Sequence, residues 1–201
     1  MSVAVLFTVF GLILPAELPD KTMVATLVLA TRFPAVPVII GASLGFIAQA
    51  AIAVAAGSAI AQLPTTPVKA VSAAIFLVGA ILTLRASGEE DEEERAVNEE
   101  VAGTSPRAGT WRVIGTSFII LFLAEWGDLT QLLTASLSAK YDDPIAVFLG
   151  SAGGLITAGV LAATGGKALL RVLPMVWIRR VAAAAFAVVA ALTALEAARI
   201  L

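Results

Sequence analysis

The 201-residue chain contains no cysteine and no histidine. Without cysteine, neither a disulfide framework nor a thiolate metal site is available. Without histidine, any proton handling at an internal site falls to carboxylates, Lys or Arg. Charge is scarce as well: Asp, Glu, Lys and Arg make up 14% of residues, against about 25% in a soluble domain. The net charge of −2 gives no basic footprint for nucleic acid, so none is expected as a partner. Aromatics are 6% of the chain, few for the lining of a roomy organic-solute cavity. No Lys or Arg precedes the first apolar stretch, so the basic start of a signal peptide is not seen.

What is present is apolar. Hydrophobic residues are 59% of the chain and the mean hydropathy is +0.96. A membrane-spanning helix needs about 20 predominantly apolar residues, and six such stretches follow one another. They run from Val3 to Ala30, Val36 to Leu63, Val68 to Leu84, Trp111 to Ala139, Pro144 to Leu173 and Met175 to Ala198. The expectation is an all-α membrane protein with six transmembrane helices. Between the third and fourth lies a polar segment, Ser87 to Thr110, with an unbroken acidic run from Glu89 to Glu94. It divides the chain into residues 1–86, an acidic linker over 87–110, and residues 111–201.

The two halves repeat. Ala16-Glu17-Leu18-Pro19-Asp20-Lys21-Thr22 aligns without a gap on Ala124-Glu125-Trp126-Gly127-Asp128-Leu129-Thr130. One residue of slip brings Gly41, Gly45 and Gly57 onto Gly150, Gly154 and Gly166, and a further slip matches Phe76 and Thr83 to Phe186 and Thr193. Three spans per copy force the second copy to enter the membrane from the opposite side, so the halves are expected to be two inverted three-helix repeats. That is the plan of secondary transporters, with the site near the midplane at interrupted helices. The Lys and Arg distribution sets the orientation. With both termini outside, the inner side holds Arg32, Arg85, Arg95, Arg107, Arg112, Lys167, Arg171, Arg179 and Arg180, and the outer side only Lys69, Lys140 and Arg199. The chain is therefore expected in the cell membrane with its acidic loop in the cytoplasm.

Glu17 and Asp20 are three residues apart, as are Glu125 and Asp128, a spacing that on a helix places both carboxylates on one face. Each pair sits well inside an apolar stretch. A charge there costs about 2.5–3.5 kcal/mol. Four would cost on the order of 10 kcal/mol, comparable with the whole stability of a domain. Pro19 removes an N–H and disrupts its helix, and Gly127 is the flexible equivalent in the second copy. Such breaks turn Thr22 and Thr130, or freed carbonyls, toward the carboxylates. Carboxylate, hydroxyl and carbonyl oxygens suit hard cations such as calcium, manganese or magnesium. Four carboxylates and Lys21 sum to −3 when ionised. Crowded carboxylates at low dielectric need a counter-charge, so metal and protons compete for one site, and that competition is the basis of exchange. No resident cofactor is expected.

The duplicated pattern Glu-x-Gly-Asp-(Lys/Arg)-(Thr/Ser), in a six-helix chain with an acidic central loop, resembles the Gdt family. These are divalent-cation (manganese/calcium)/proton exchangers, with bacterial members among them. The resemblance implies antiport of manganese or calcium against protons, with the metal bound between the two motif helices. By position, Glu17, Asp20, Lys21 and Thr22 match the first motif, and Glu125, Gly127, Asp128 and Thr130 the second. Two positions depart from the pattern: Pro19 stands where the first motif has glycine, and Leu129 where the second has a basic residue.

Other features carry two readings each. Gly41-x-x-x-Gly45 and Gly150-x-x-x-Gly154 let helices approach closely, within the chain or across a homodimer. Gln49 and Gln131 supply ligand oxygens or an interhelical hydrogen bond, and Gln131 is the stronger metal-ligand candidate. Asp142-Asp143-Pro144 is a cation vestibule or, more simply, a helix N-cap followed by proline. The acidic run is a solvated linker or a metal attractor. Glu196 is expected to pair with Arg199 one turn on. Rival functions are an exporter of a small organic cation or amino acid and an intramembrane metal-dependent enzyme; against the latter, no nucleophile or arginine clamp accompanies the motifs.

Overall fold

The computed structural model describes residues 1–18, 20–85, 95–99, 101, 104–105, 108–172 and 175–198. The first apolar stretch forms two helices, α1 (Val3–Glu17) and α2 (Lys21–Arg32), followed by α3 (Ala35–Ile60) and α4 (Thr65–Arg85). The second half repeats this order with α5 (Thr110–Ala124), α6 (Leu129–Lys140), α7 (Pro144–Val172) and α8 (Met175–Ala197). Among the described residues there is no strand. Four helices are long and apolar enough to cross a membrane, and six spans result if each bent pair counts as one. At 1.5 Å per residue the 26 residues of α3 reach about 39 Å, more than a hydrocarbon core of about 30 Å.

The bent pairs are where sequence and structure part. α1 and α2 meet at 69° and α5 and α6 at 71°, so neither carboxylate pair lies along one helical face as its spacing suggested. Asp20 and Asp128 instead have extended backbone and stand as the caps that begin α2 and α6. Gly127 has φ +75°, a left-handed conformation that a side chain disfavours, and it makes the second break.

Close glycine contacts set the packing. A Cβ on Gly150 would stand 2.7 Å from the Leu6 carbonyl and 2.8 Å from Val9 Cβ on α1. Gly41 faces the equivalent Ile114 carbonyl and Ser117 on α5, where its Cβ would be 2.8 Å from Ser117 Cβ. Gly45 meets Phe118 and Phe122, and Gly154 meets Ile13 and Leu14. The glycines thus seat α3 on α5 and α7 on α1, as the close-approach reading of these motifs expects. α3 and α7 also pack on each other, and α4 pairs with α8.

Several expectations at the periphery are settled by hydrogen bonds. Asp143 Oδ1 accepts from Ala146 N–H at 3.1 Å, and Asp143 also accepts from Ser2 N–H, so it is an N-cap. Those two N–H groups hold its carboxyl below the usual carboxylate range. Arg199, the partner expected for Glu196, lies outside the described residues. Glu196 pairs with Lys69 on α4 at 3.3 Å and with Lys140 at the end of α6 at 3.2 Å, because α8 lies against α4 there. The run Glu89–Glu94 lies outside the described residues, but Val97 and Val101 further along the linker are buried in the apolar core.

Candidate cation site

Glu17 ends α1 and Glu125 follows α5, and each is 1% exposed. The helix breaks bring Asp20 to the same place. One carboxylate oxygen from each of Glu17, Asp20 and Glu125 lies within 4.8 Å of the others. Two helix breaks, one from each half, therefore converge on one cluster.

The threonines orient it. Thr22 Oγ1 donates to Glu17 Oε1, and Thr130 Oγ1 donates to Glu125 Oε2 at 3.0 Å. Both hydroxyls are buried and reach back across the break to the glutamate five residues earlier. With one oxygen of each glutamate held, the other is turned inward. Glu17 Oε2, Asp20 Oδ2 and Glu125 Oε1 are buried and have no hydrogen-bond partner among the described residues. A buried, unpartnered carboxylate oxygen is expensive. The three carboxylates that carry these oxygens are the ones clustered within 4.8 Å, an acceptor-rich arrangement that calls for a cation, protons or another donor.

Asp128 is treated differently. Its Oδ1 lies 3.0 Å from Lys21 Nζ, and its Oδ2 caps α6 by accepting from Thr130 N–H at 3.3 Å. Gln131 Oε1 accepts from Gly127 N–H at 2.8 Å, its amide donates to Gln49 Oε1, and Gln49 in turn donates to the Phe122 carbonyl. This chain ties the second break to α3, so both glutamines make the interhelical bonds of their plainer reading. Of the residues singled out from sequence, Glu17, Asp20, Thr22, Glu125 and Thr130 come together directly, with Lys21, Asp128 and Gln131 around them. An ion pair between Lys21 and a motif carboxylate is the plainer reading of those charges, and the structure makes it with Asp128 of the opposite half, a partner the sequence does not specify. The one signal of the pair is that Lys21 is the lone cation inside a motif.

A family model described as divalent cation/proton antiporter GDT1 matches the chain twice, over residues 5–91 and 113–200. A GDT1-like protein of Synechocystis is 32% identical over 167 residues, covering 78% of this chain and 80% of the relative. A Vibrio cholerae protein named "Putative manganese exporter" is 31% identical over 185 residues, 89% of this chain and 84% of that one. Protein PAM71, chloroplastic, of Arabidopsis thaliana is 29% identical over 206 residues, 93% of this chain and 55% of its own length. No solved structure matches. Matched over nearly its full length, the chain belongs to the GDT1 family of divalent cation/proton antiporters, which are membrane ion transporters and not enzymes.

Proposed function

We propose that this antiporter exchanges manganese or calcium for protons at the cluster of Glu17, Asp20 and Glu125. The observation that carries the reading is the trio of buried, unpartnered oxygens, one from each carboxylate. Carboxylate oxygens are the ligands of hard divalent cations. The ion binds there with Thr22 and Thr130 as hydroxyl donors that pre-set the glutamates, and protons occupy the same oxygens when the ion leaves. Asp128 and Gln131 complete the surround. Asp128 stands beside the ion with its charge balanced by Lys21, and Gln131 offers its carbonyl when released from Gly127. The name of the Vibrio relative favours manganese over calcium as the ion.

The same reading treats 1–86 and 111–201 as inverted repeats joined by the linker over 87–110. It is supported by equivalent glycine contacts in the two halves, by the similar bends and by the double match of one family model. Both termini then face outward and the linker the cytoplasm. The paired glycines are occupied within the chain, so a homodimer would use a different surface.

The test is uptake of manganese and calcium into proteoliposomes with and without an imposed pH gradient. Gradient-driven flux that drops at least about tenfold in Glu125→Gln is the expected result. Undiminished flux in both Glu125→Gln and Glu17→Gln overturns the site.

A further inference from the structure

We propose that Lys21 and Leu129 together decide where the transported cation sits: Lys21 takes Asp128 out of the ligand set, and Leu129 leaves Asp20 in it. The inference rests on the cation-site reading above and adds to it an asymmetry between the two halves.

Lys21 Nζ lies 3.0 Å from Asp128 Oδ1, an ion pair that joins the start of α2 to the cap of α6. The Asp128 side chain is 14% exposed and that of Lys21 35%. In the register of the repeat, Lys21 corresponds to Leu129 and Asp128 to Asp20. The equivalent pair would join residue 129 to Asp20, and a leucine cannot form it. Asp20 Oδ2 accordingly stays buried without a partner.

Leu129 is fitted to its place. It lies over Gly79 on α4, where a Cβ would stand 3.0 Å from Leu129 Cδ1 and 3.3 Å from Cδ2. Phe76, Leu133 and Phe186 line the same narrow space. In the register that matches Phe76 to Phe186 and Thr83 to Thr193, Gly79 corresponds to Val189. Leu129 of the second half thus packs over a glycine of the first, whereas the equivalent of that glycine in the second half is Val189.

The consequence is electrostatic. A tethered ammonium neutralises one of the four acids, and each of the remaining three keeps a buried oxygen without a partner among the described residues, within a cluster 4.8 Å across. At Asp20 the transported dication takes the place that the lysine ammonium takes at Asp128. With a lysine in both halves, only Glu17 and Glu125 would remain for the ion. With a lysine in neither, four carboxylates would hold it more tightly.

Manganese binding to the purified full-length protein, measured by titration calorimetry at one pH, reads this directly. Leu129→Lys is expected to weaken binding at least about tenfold, because an ammonium at the position equivalent to Lys21 would pair with Asp20 in competition with the ion. Lys21→Met is expected to tighten binding by about tenfold on the same reasoning. The double variant Lys21→Leu/Leu129→Lys moves the pair to the other half and is expected to return binding to within about threefold of the parent. Leu129→Met keeps the apolar contact with Gly79 and is expected to bind as the parent does.

A folded, monodisperse Leu129→Lys protein that binds manganese like the parent overturns the inference, as does a folded double variant no better than Leu129→Lys. Where Leu129→Lys does not fold, unchanged affinity in Lys21→Met overturns it alone. Glu125→Gln in the same series separates the two levels. If it binds normally, the site reading itself fails. If it loses binding while the lysine variants do not differ from the parent, only the asymmetry fails.

Discussion

At the scale of single residues, the threonines do more than fill the space beside the glutamates. Each hydroxyl has one proton to give: Thr22 gives it to Glu17 and Thr130 chiefly to Glu125, with Asp128 Oδ2 a longer second acceptor at 3.4 Å. That fixes the rotation of the carboxyl group and commits its second oxygen to the cluster. Thr130→Val keeps the side-chain shape and removes the donor, leaving Glu125 Oε2 without its Thr130 partner. The loss of a buried hydrogen bond of this kind costs about 1–3 kcal/mol. We expect a lower melting temperature in detergent and manganese flux reduced by about tenfold, a change equivalent to about 1.4 kcal/mol. Thr130→Ser, which retains the donor, should recover most of both. Equal flux in the Val and parent proteins would show that Glu125 is oriented by something else. The sequence made these hydroxyls visible as candidates, since a break after Glu125 is what allows residue 130 to face back. It did not show the partner of Lys21, because spacing along a chain reports distances within a helix and says nothing of which acid approaches from the opposite half.

At the scale of elements, hydropathy located the apolar stretches but was blind to the direction of the backbone inside them. A run from Val3 to Ala30 reads as one span with a polar interruption, whereas the chain bends by 69° there and begins a new helix at Lys21. The physical reason is local. Asp20 and Asp128 adopt extended backbone, and Gly127 takes a positive φ, and none of these alters average hydrophobicity. The glycine spacing was more informative, because close approach needs the absence of a Cβ whatever the helix direction. Gly41→Ala tests that contact. The new methyl would meet Ser117 Cβ at 2.8 Å and Phe118 N at 3.1 Å. Overpacking of this kind costs about 1–3 kcal/mol, or a fall of roughly 2–10 °C in melting temperature for a chain of this size. Gly115→Ala is the internal control. It lies within α5 with nothing inside 4 Å of the added Cβ, and it should gain about 0.5–1 kcal/mol from the better helix former. Equal effects of the two substitutions would mean that the α3–α5 contact is looser than its geometry indicates.

At the scale of the whole molecule, the packing is less symmetric than the sequence. The paired helices α4 and α8 rest on α6 and α1 respectively, while the exchanged contacts, α4 on α5 and α8 on α2, are marginal at most. An ionic cluster fastens the same side: Glu196 on α8 accepts from Lys69 on α4 and from Lys140 at the end of α6, and Lys140 also donates to Thr193 at 3.2 Å. An antiporter must present one site to the two sides in turn. In inverted-repeat transporters this happens by rocking one group of helices against another, so that the two halves exchange their packing. Under the inverted-repeat reading, the α4–α8 pair leaves α6 and α1 and settles on α5 and α2 in the opposite state, and the Lys140–Glu196 contact must open. The absence of cysteine from the chain makes this directly testable, because any introduced pair is the sole reactive pair. Lys140→Cys/Glu196→Cys, bridged by a short bifunctional thiol reagent with a reducible link, should lose at least about tenfold of its manganese flux, the equivalent of about 1.4 kcal/mol or more. Reduction should restore it, and each single-cysteine variant should be indifferent to the reagent. Full flux through the bridged protein would place the moving boundary elsewhere and leave this ionic cluster as a fixed brace between α6 and α8.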